Sequence, residues 1–274
     1  MGYFNSLQLE KEPFSTSPDP AFFYQSKDHS AALNRLEIAI RLKRGLSLVL
    51  GDVGTGKTTL LRALLQAFYG EEDQYVFHMI LDPSFKTENQ FLSHLTKLFG
   101  ISPFFRSTIN HREAIEKYLY QKCVEENKTV VLLIDEGQKL DFNQIEILRT
   151  LLNYETNDTK MLQLVILAQM ELLSRIKPLR NFMDRIAMKF ILLPLNEQQT
   201  AEMIAFRLKC AGYKEQKFLF SNEAVHLIHQ FTQGYPRQIA RMCHTAMEYL
   251  VMENHECVNL GLIEKIIDQE KVWI

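Results

Sequence analysis

The segment Gly51-Asp52-Val53-Gly54-Thr55-Gly56-Lys57-Thr58 constrains the chain more than any other. It matches G-x-x-x-x-G-K-[ST] directly after the apolar run Leu46-Ser47-Leu48-Val49-Leu50. Backbone N–H groups can wrap a polyphosphate only where no side chain obstructs them, so Gly51, Gly54 and Gly56 stand where the chain turns tightly and approaches the anion. Lys57 adds a mobile positive charge. From Lys57 to Leu65 the apolar residues recur at helical spacing, which places a helix N-terminus beneath the phosphates. Thr58 is positioned to hold Mg²⁺. The stretch expected to contact nucleotide therefore comprises Gly51, Asp52, Val53, Gly54, Thr55, Gly56, Lys57, Thr58 and Thr59.

With 274 residues, 46% of them hydrophobic, the chain can bury a full core. Lys and Arg number 31 against 33 Asp and Glu, a formal charge of −2 that supplies no global attraction to nucleic acid or to an anionic membrane. Cys123, Cys210, Cys243 and Cys257 show no C-x-x-C pair and no zinc spacing, as expected of reduced thiols in a cytoplasmic protein. Neither a signal peptide nor an apolar run of membrane-spanning length is evident.

Five apolar, β-branched or aromatic runs, at 46–50, 75–81, 129–134, 162–168 and 188–193, alternate with helical patterns. That alternation predicts an α/β domain with a parallel sheet. After Pro194 everything reads as helix, near 197–211, 222–232, 236–253 and 260–270, with Ser221 or Asn222 as an N-cap. The expected division is an N-terminal segment, 1–27, packed on the nucleotide-binding core; an α/β domain, 28–194; and an all-helical domain, 195–274. Residues 1–27 are too aromatic for a free tail.

The run Thr129-Val130-Val131-Leu132-Leu133-Ile134 ends in Asp135-Glu136. A buried strand delivers both carboxylates to the edge where the phosphate loop of an open α/β sheet also lies. Asp135 can orient Mg²⁺ through its water shell, and Glu136 can polarise a water for attack on the γ-phosphate. The strand near 75–81, falling between the two motifs, fits the P-loop class with an added catalytic glutamate (ASCE). Gln169, closing the next strand, can contact the γ-phosphate or hold the attacking water. Two arginines precede the last strand; Arg185 is the better candidate for a finger reaching a neighbouring subunit's nucleotide, with Arg180 as rival. Arg237, in Gly234-Tyr235-Pro236-Arg237, opens a helix and can couple the position of the helical domain to phosphate state.

These residues resemble the AAA+ ATPases of the ExeA/GspA (general secretion pathway A) type, in the short, MshM-like, pilus-associated form. The resemblance covers nearly the whole chain: Pro13-Phe14, Pro18-Asp19-Pro20, Phe22 to Tyr24, His29 with Leu33 and Leu36, the phosphate loop, Leu132 to Glu136 with Gln138, Gln169, Arg185-Ile186, Pro194-Leu195, and Gly234 to Arg237. It implies ATP as the nucleotide, a five-stranded parallel sheet in the order 5-1-4-3-2, a C-terminal helical lid, and a ring or other homo-oligomer. It also implies that Asp19 to His29 lines the adenine pocket, with His29 among the nucleotide contacts. The chain departs from the family's Gly-Gln-Pro-Glu at Ala168-Gln169-Met170-Glu171, and from Gln-Arg at Asp184-Arg185. Secretion-type members carry a membrane span and a peptidoglycan-binding domain, neither of which is read here, so a partner is expected to make that link.

Two functions share this ATP site. One is an Mg²⁺-dependent ATPase that assembles or remodels a secretion or pilus complex, cytoplasmic or held at the inner membrane through a membrane-associated partner. The other is a DNA-associated AAA+ ATPase regulating transposition or another DNA transaction, with Lys43, Arg44, Arg106, His111, Arg112, Arg237 and Arg241 contacting phosphates. A nucleotide-gated scaffold without turnover is disfavoured by the intact Lys57, Asp135, Glu136 and Arg185.

Overall fold

Three runs that contain no charged side chain form β1 (Leu46–Gly51), β3 (Thr129–Ile134) and β4 (Leu162–Ala168), and every residue in them is buried. A strand sealed on both faces must lie inside a sheet covered by helices on both sides. The computed structural model, which describes residues 3–17, 19–102, 107–156, 159–214 and 219–271, shows that arrangement. β2 (Tyr75–Ile80) and β5 (Ile186–Leu192) take the edges of an all-parallel five-stranded sheet in the order β2-β3-β4-β1-β5. This is the expected 5-1-4-3-2 order viewed from the other edge. β5 shows what edge placement does to sequence: Ile186, Met188 and Leu192 are buried while Ala187, Lys189 and Ile191 face solvent.

The chain falls into two compact units, each with its own core. The sheet unit comprises His29–Val53 and Leu60–Leu192. Its core joins Leu48, Leu132, Ile134, Leu164 and Ile166 of the strands to Leu92 and Leu95 of α4 (Glu88–Leu98), Ile115 and Leu119 of α5 (Thr108–Tyr120), and Leu148 of α6 (Phe142–Leu151). The polar intruder Gln163 in β4 is satisfied at both ends: its Oε1 accepts from Gly45 N–H at 2.8 Å and its Nε2 donates to Lys160 O at 2.8 Å. Also in or leading into this unit are α2 (Lys27–Arg41), α3 (Lys57–Ala67), α7 (Glu171–Ile176) and α8 (Arg180–Met183).

The described residues of Met1–Asp28, Gly54–Thr59 and Leu193–Ile274 make the helical unit. Four helices, α9 (Glu197–Cys210), α10 (Asn222–Thr232), α11 (Pro236–Met252) and α12 (Leu260–Glu270), match the sequence expectation to within a residue or so. Each start has a local cause. Asn196 and Gln199 form a reciprocal capping box, Ser221 accepts from Ala224 N–H, Asn259 accepts from Leu262 N–H, and Pro236 opens α11. Ser221 is thus the cap and Asn222 the first helical residue.

The opening segment, which includes α1 (Tyr3–Ser6), corrects one expectation. It was expected against the nucleotide-binding core, yet Leu9, Phe14 and Phe22 are buried among residues of α9 to α12. Phe14 meets Phe220 edge-on at 5.9 Å, Glu10 N–H donates to Ala211 O at 2.8 Å, and the Arg207 guanidinium donates to Ser15 O at 3.1 Å. The aromatic segment adds to the apolar core of the four helices. Among the described residues no helix is long and apolar enough to cross a membrane.

Gly234 sits at φ 77°, where a Cβ would fall 1.9 Å from Leu195 O, and its own carbonyl accepts from Leu195 N–H at 2.8 Å. Replacing it with alanine adds left-handed strain to a backbone clash, so Gly234→Ala should destabilise the protein by roughly 2–4 kcal/mol. Urea unfolding is the check, and an unchanged midpoint would contradict this account of the turn.

Candidate functional site

β1 runs into the glycine-rich loop, and two of its glycines adopt conformations closed to other residues: Gly54 at φ 85° and Gly56 at φ 96°. Left-handed residues at alternate positions turn successive N–H groups toward one concavity, the arrangement that holds an anion. Lys57 is the first residue of α3 and is only 7% exposed, and Thr55 is fully buried. The positive charge of Lys57 and the helix N-terminus both favour an anion at the loop. Thr58 and Thr59 are half-buried on the first turn, while Asp52 and Val53 face solvent. Within the helical unit, the first turn of α11 meets this loop: Arg237 N–H donates to Gly54 O at 3.2 Å. A Cβ on Gly54 would come within 3.1 Å of Arg237 Cβ. Arg237 is exposed.

In the sheet unit, the carboxyl ends of the inner strands lie side by side, Leu50 opposite Ala168 and Ile134 opposite Ile166. Gly51, the acidic pair and Gln169 therefore emerge at one edge. Asp135 is buried, and its N–H extends the ladder by donating to Ile80 O at 2.8 Å. Glu136 takes φ 52°, ψ 35°, a left-handed conformation uncommon outside glycine and asparagine, and its N–H donates to Asp135 Oδ1 at 2.9 Å. Gly137 makes this turn possible, since a Cβ there would lie 2.5 Å from Ile166 Cγ2. The turn brings Gln138 Nε2 to Glu136 Oε2 at 2.6 Å, while Gln138 Oε1 accepts from Gln169 N–H at 3.1 Å. Arg175 of α7 donates to Gln138 O at 2.7 Å and to Leu140 O at 3.1 Å.

Gln138, Gly137 and Arg175 were not among the site residues read from sequence. A Gly-Gln pair directly after the acidic pair was the available signal; Arg175 had none, because its partners are backbone carbonyls 35 and 37 residues away.

Arg185 is not part of this edge. It directly precedes β5, whose first residue Ile186 pairs with Leu46 at the start of β1, so it stands at the opposite, amino edge of the sheet. The length of a strand, about 20 Å, separates the two edges. There Arg185 lines a hollow of about 340 Å³ with Arg44, Lys160 and Asp184. Burial, and then the charge of Arg185, depress the Lys160 ammonium below the usual lysine value. Arg180 opens the short helix α8 and is exposed. His29 is buried on the first turn of α2.

Asp135 and Thr58 are hard oxygen donors of the kind that suit Mg²⁺. Among the described residues no three His, Cys, Asp or Glu side chains gather into a metal cage.

Of the residues considered for DNA contact, His111 is fully buried, with Nδ1 3.2 Å from Thr96 Oγ1. Arg112 is paired with Glu88 at 2.7 Å and Arg241 with Glu270. Arg106, like Pro18 in the opening motif, lies outside the described residues.

Residues 40–176 match the AAA domain family. Over 255 residues, 89% of this chain and 44% of the relative, the sequence is 33% identical to General secretion pathway protein A of Aeromonas hydrophila. The chain thus spans less than half the length of that curated relative. In fold it is similar to the ORC2 protein of Aeropyrum pernix, solved as ADPNP-ADP complexes, with a TM-score of 0.66 at 13% identity over 94% of this chain and 71% of that one. It is likewise similar to the RuvB Holliday junction branch migration motor of Thermotoga maritima, with a TM-score of 0.59 at 16% identity over 90% and 72% of the two chains. The glycine-rich loop, the acidic pair after β3 and Gln169 all fall within the matched span, and the chain belongs to the AAA domain family.

Proposed function

We propose that this protein is an Mg²⁺-dependent ATPase that works as a homo-oligomer and assembles or remodels a secretion or pilus complex through a membrane-associated partner. The observation that carries the enzymatic part is the delivery of Gly51, at the head of the loop, and of Asp135 and Glu136 to one edge of the sheet. The loop amides and Lys57 bind the β- and γ-phosphates. Thr58 and Asp135 are the residues that would hold Mg²⁺, which supplies neutralisation of the phosphate charge. Glu136 takes a proton from a water as its oxygen bonds to the γ-phosphorus; the bond from that phosphorus to the β,γ-bridging oxygen breaks, and ADP and phosphate leave. Gln169 orients the water or the γ-phosphate. Arg237, on the turn that touches Gly54, reports phosphate state to the helical unit. Asp19 to His29, with His29 buried at its end, contributes to the adenine pocket.

Arg185 stands a strand's length from its own chain's acidic pair, so its role is in the site of a neighbouring copy. The likeness to General secretion pathway protein A supports the envelope role. The pairing or burial of His111, Arg112 and Arg241 weakens the DNA-associated alternative.

Turnover measured against protein concentration, with and without duplex DNA, tests the reading as a whole. Specific activity should rise with concentration and ignore DNA; strong DNA stimulation would favour the alternative. Lys57→Ala should lose ATP binding. Glu136→Gln should bind ATP but hydrolyse it at least about 100-fold more slowly, and wild-type turnover in this variant would remove Glu136 as the base. Arg185→Ala should slow the assembled enzyme by about 10³-fold or more. Mixing it with Lys57→Ala subunits should restore activity, because mixed interfaces pair an intact loop with an intact arginine. Mixtures as inactive as their components would rule out action between subunits.

A further inference from the structure

Resting on the reading of Glu136 as the base, we infer that Gln138 is a positioning residue that fixes the Glu136 carboxylate and ties it to the end of β4. The amide of Gln138 is held at both ends, with Nε2 2.6 Å from Glu136 Oε2 and Oε1 3.1 Å from Gln169 N. A carboxylate can only accept and a backbone N–H can only donate, so these partners fix which way the amide points. One carboxylate oxygen is thereby anchored.

The backbone of Gln138 is held as firmly as its side chain. Arg175 donates to Gln138 O and Leu140 O from α7, the helix that follows Gln169. Lys139, the next residue, pairs with Asp82 at 2.9 Å, just past the end of β2. The turn after β3 is therefore strapped to the ends of both neighbouring strands. Glu136 itself sits in a left-handed conformation, which the surrounding contacts must maintain. A shift of Gln169 main chain moves the amide, and the amide moves the carboxylate.

The test uses the full chain at concentrations where turnover has reached its plateau, comparing wild type, Gln138→Met, Gln138→Glu, Glu136→Gln and the double variant Glu136→Gln/Gln138→Met. Methionine keeps the length of the side chain and removes both hydrogen bonds. Glutamate keeps the acceptor for Gln169 N–H and replaces the donor to Glu136 with a like charge. Both single variants at Gln138 should lower kcat by about 10- to 100-fold, the cost of a misplaced catalytic group. Their KM, affinity for a fluorescent ATP analogue and thermal unfolding midpoint should stay near wild type. The double variant should be no slower than Glu136→Gln alone, since the two residues act as one unit.

Wild-type kcat in Gln138→Met alongside an inactive Glu136→Gln would overturn the positioning role and leave the base in place. Equal losses of affinity, midpoint and kcat in both Gln138 variants would also overturn it, marking the residue as a support for the turn. Wild-type turnover in Glu136→Gln would remove the base and this inference with it.

Discussion

Sealing the three inner strands from water is the constraint on which everything else rests. β1, β3 and β4 have no exposed residue, so polar chemistry can appear only where the chain leaves the sheet. In an all-parallel sheet those exits share an edge, and the crevice outside the carboxyl ends is where ligands bind. Asp135 illustrates the transition: it is buried like the strand before it, its N–H still belongs to the ladder, and its carboxylate already serves the turn. Gly137 shows the steric side of the same constraint, because the turn must pass close against Ile166.

Much of this was legible in the sequence because its causes are local. Short uncharged runs rich in β-branched and aliphatic residues, bounded by turn residues, suit buried strands, and the caps Asn196, Ser221 and Asn259 mark helix starts within a few residues of themselves. The glycines of the phosphate loop announce φ values that other residues avoid, and Gly54 and Gly56 adopt them. Contacts distant in sequence were harder to read. The aromatic residues of the opening segment pointed to burial, but nothing local named the helical unit, more than 170 residues away, as what they would cover. Gln138 carried no visible role until folding placed Gln169 N–H, 31 residues on, within its reach.

Charge shows the same limit. A list of basic residues says nothing about which are already committed, and His111, Arg112 and Arg241 prove to be spent on Thr96, Glu88 and Glu270. The Arg207 guanidinium, buried beneath the opening segment, is likewise committed, donating to main-chain carbonyls of that segment.

The position of Arg185 at the amino edge has a consequence for symmetry. If one copy's arginine completes another copy's site, a two-fold dimer can complete both sites reciprocally, whereas a contact in which each copy gives its arginine to the next joins different surfaces of the molecule and is heterologous. Repeating such a contact produces either a closed ring or an open helical filament. In a ring every site is complete. In a filament the subunit at one end always lacks the arginine it needs and the subunit at the other end has one to spare, so the ends are chemically distinct and growth has a direction.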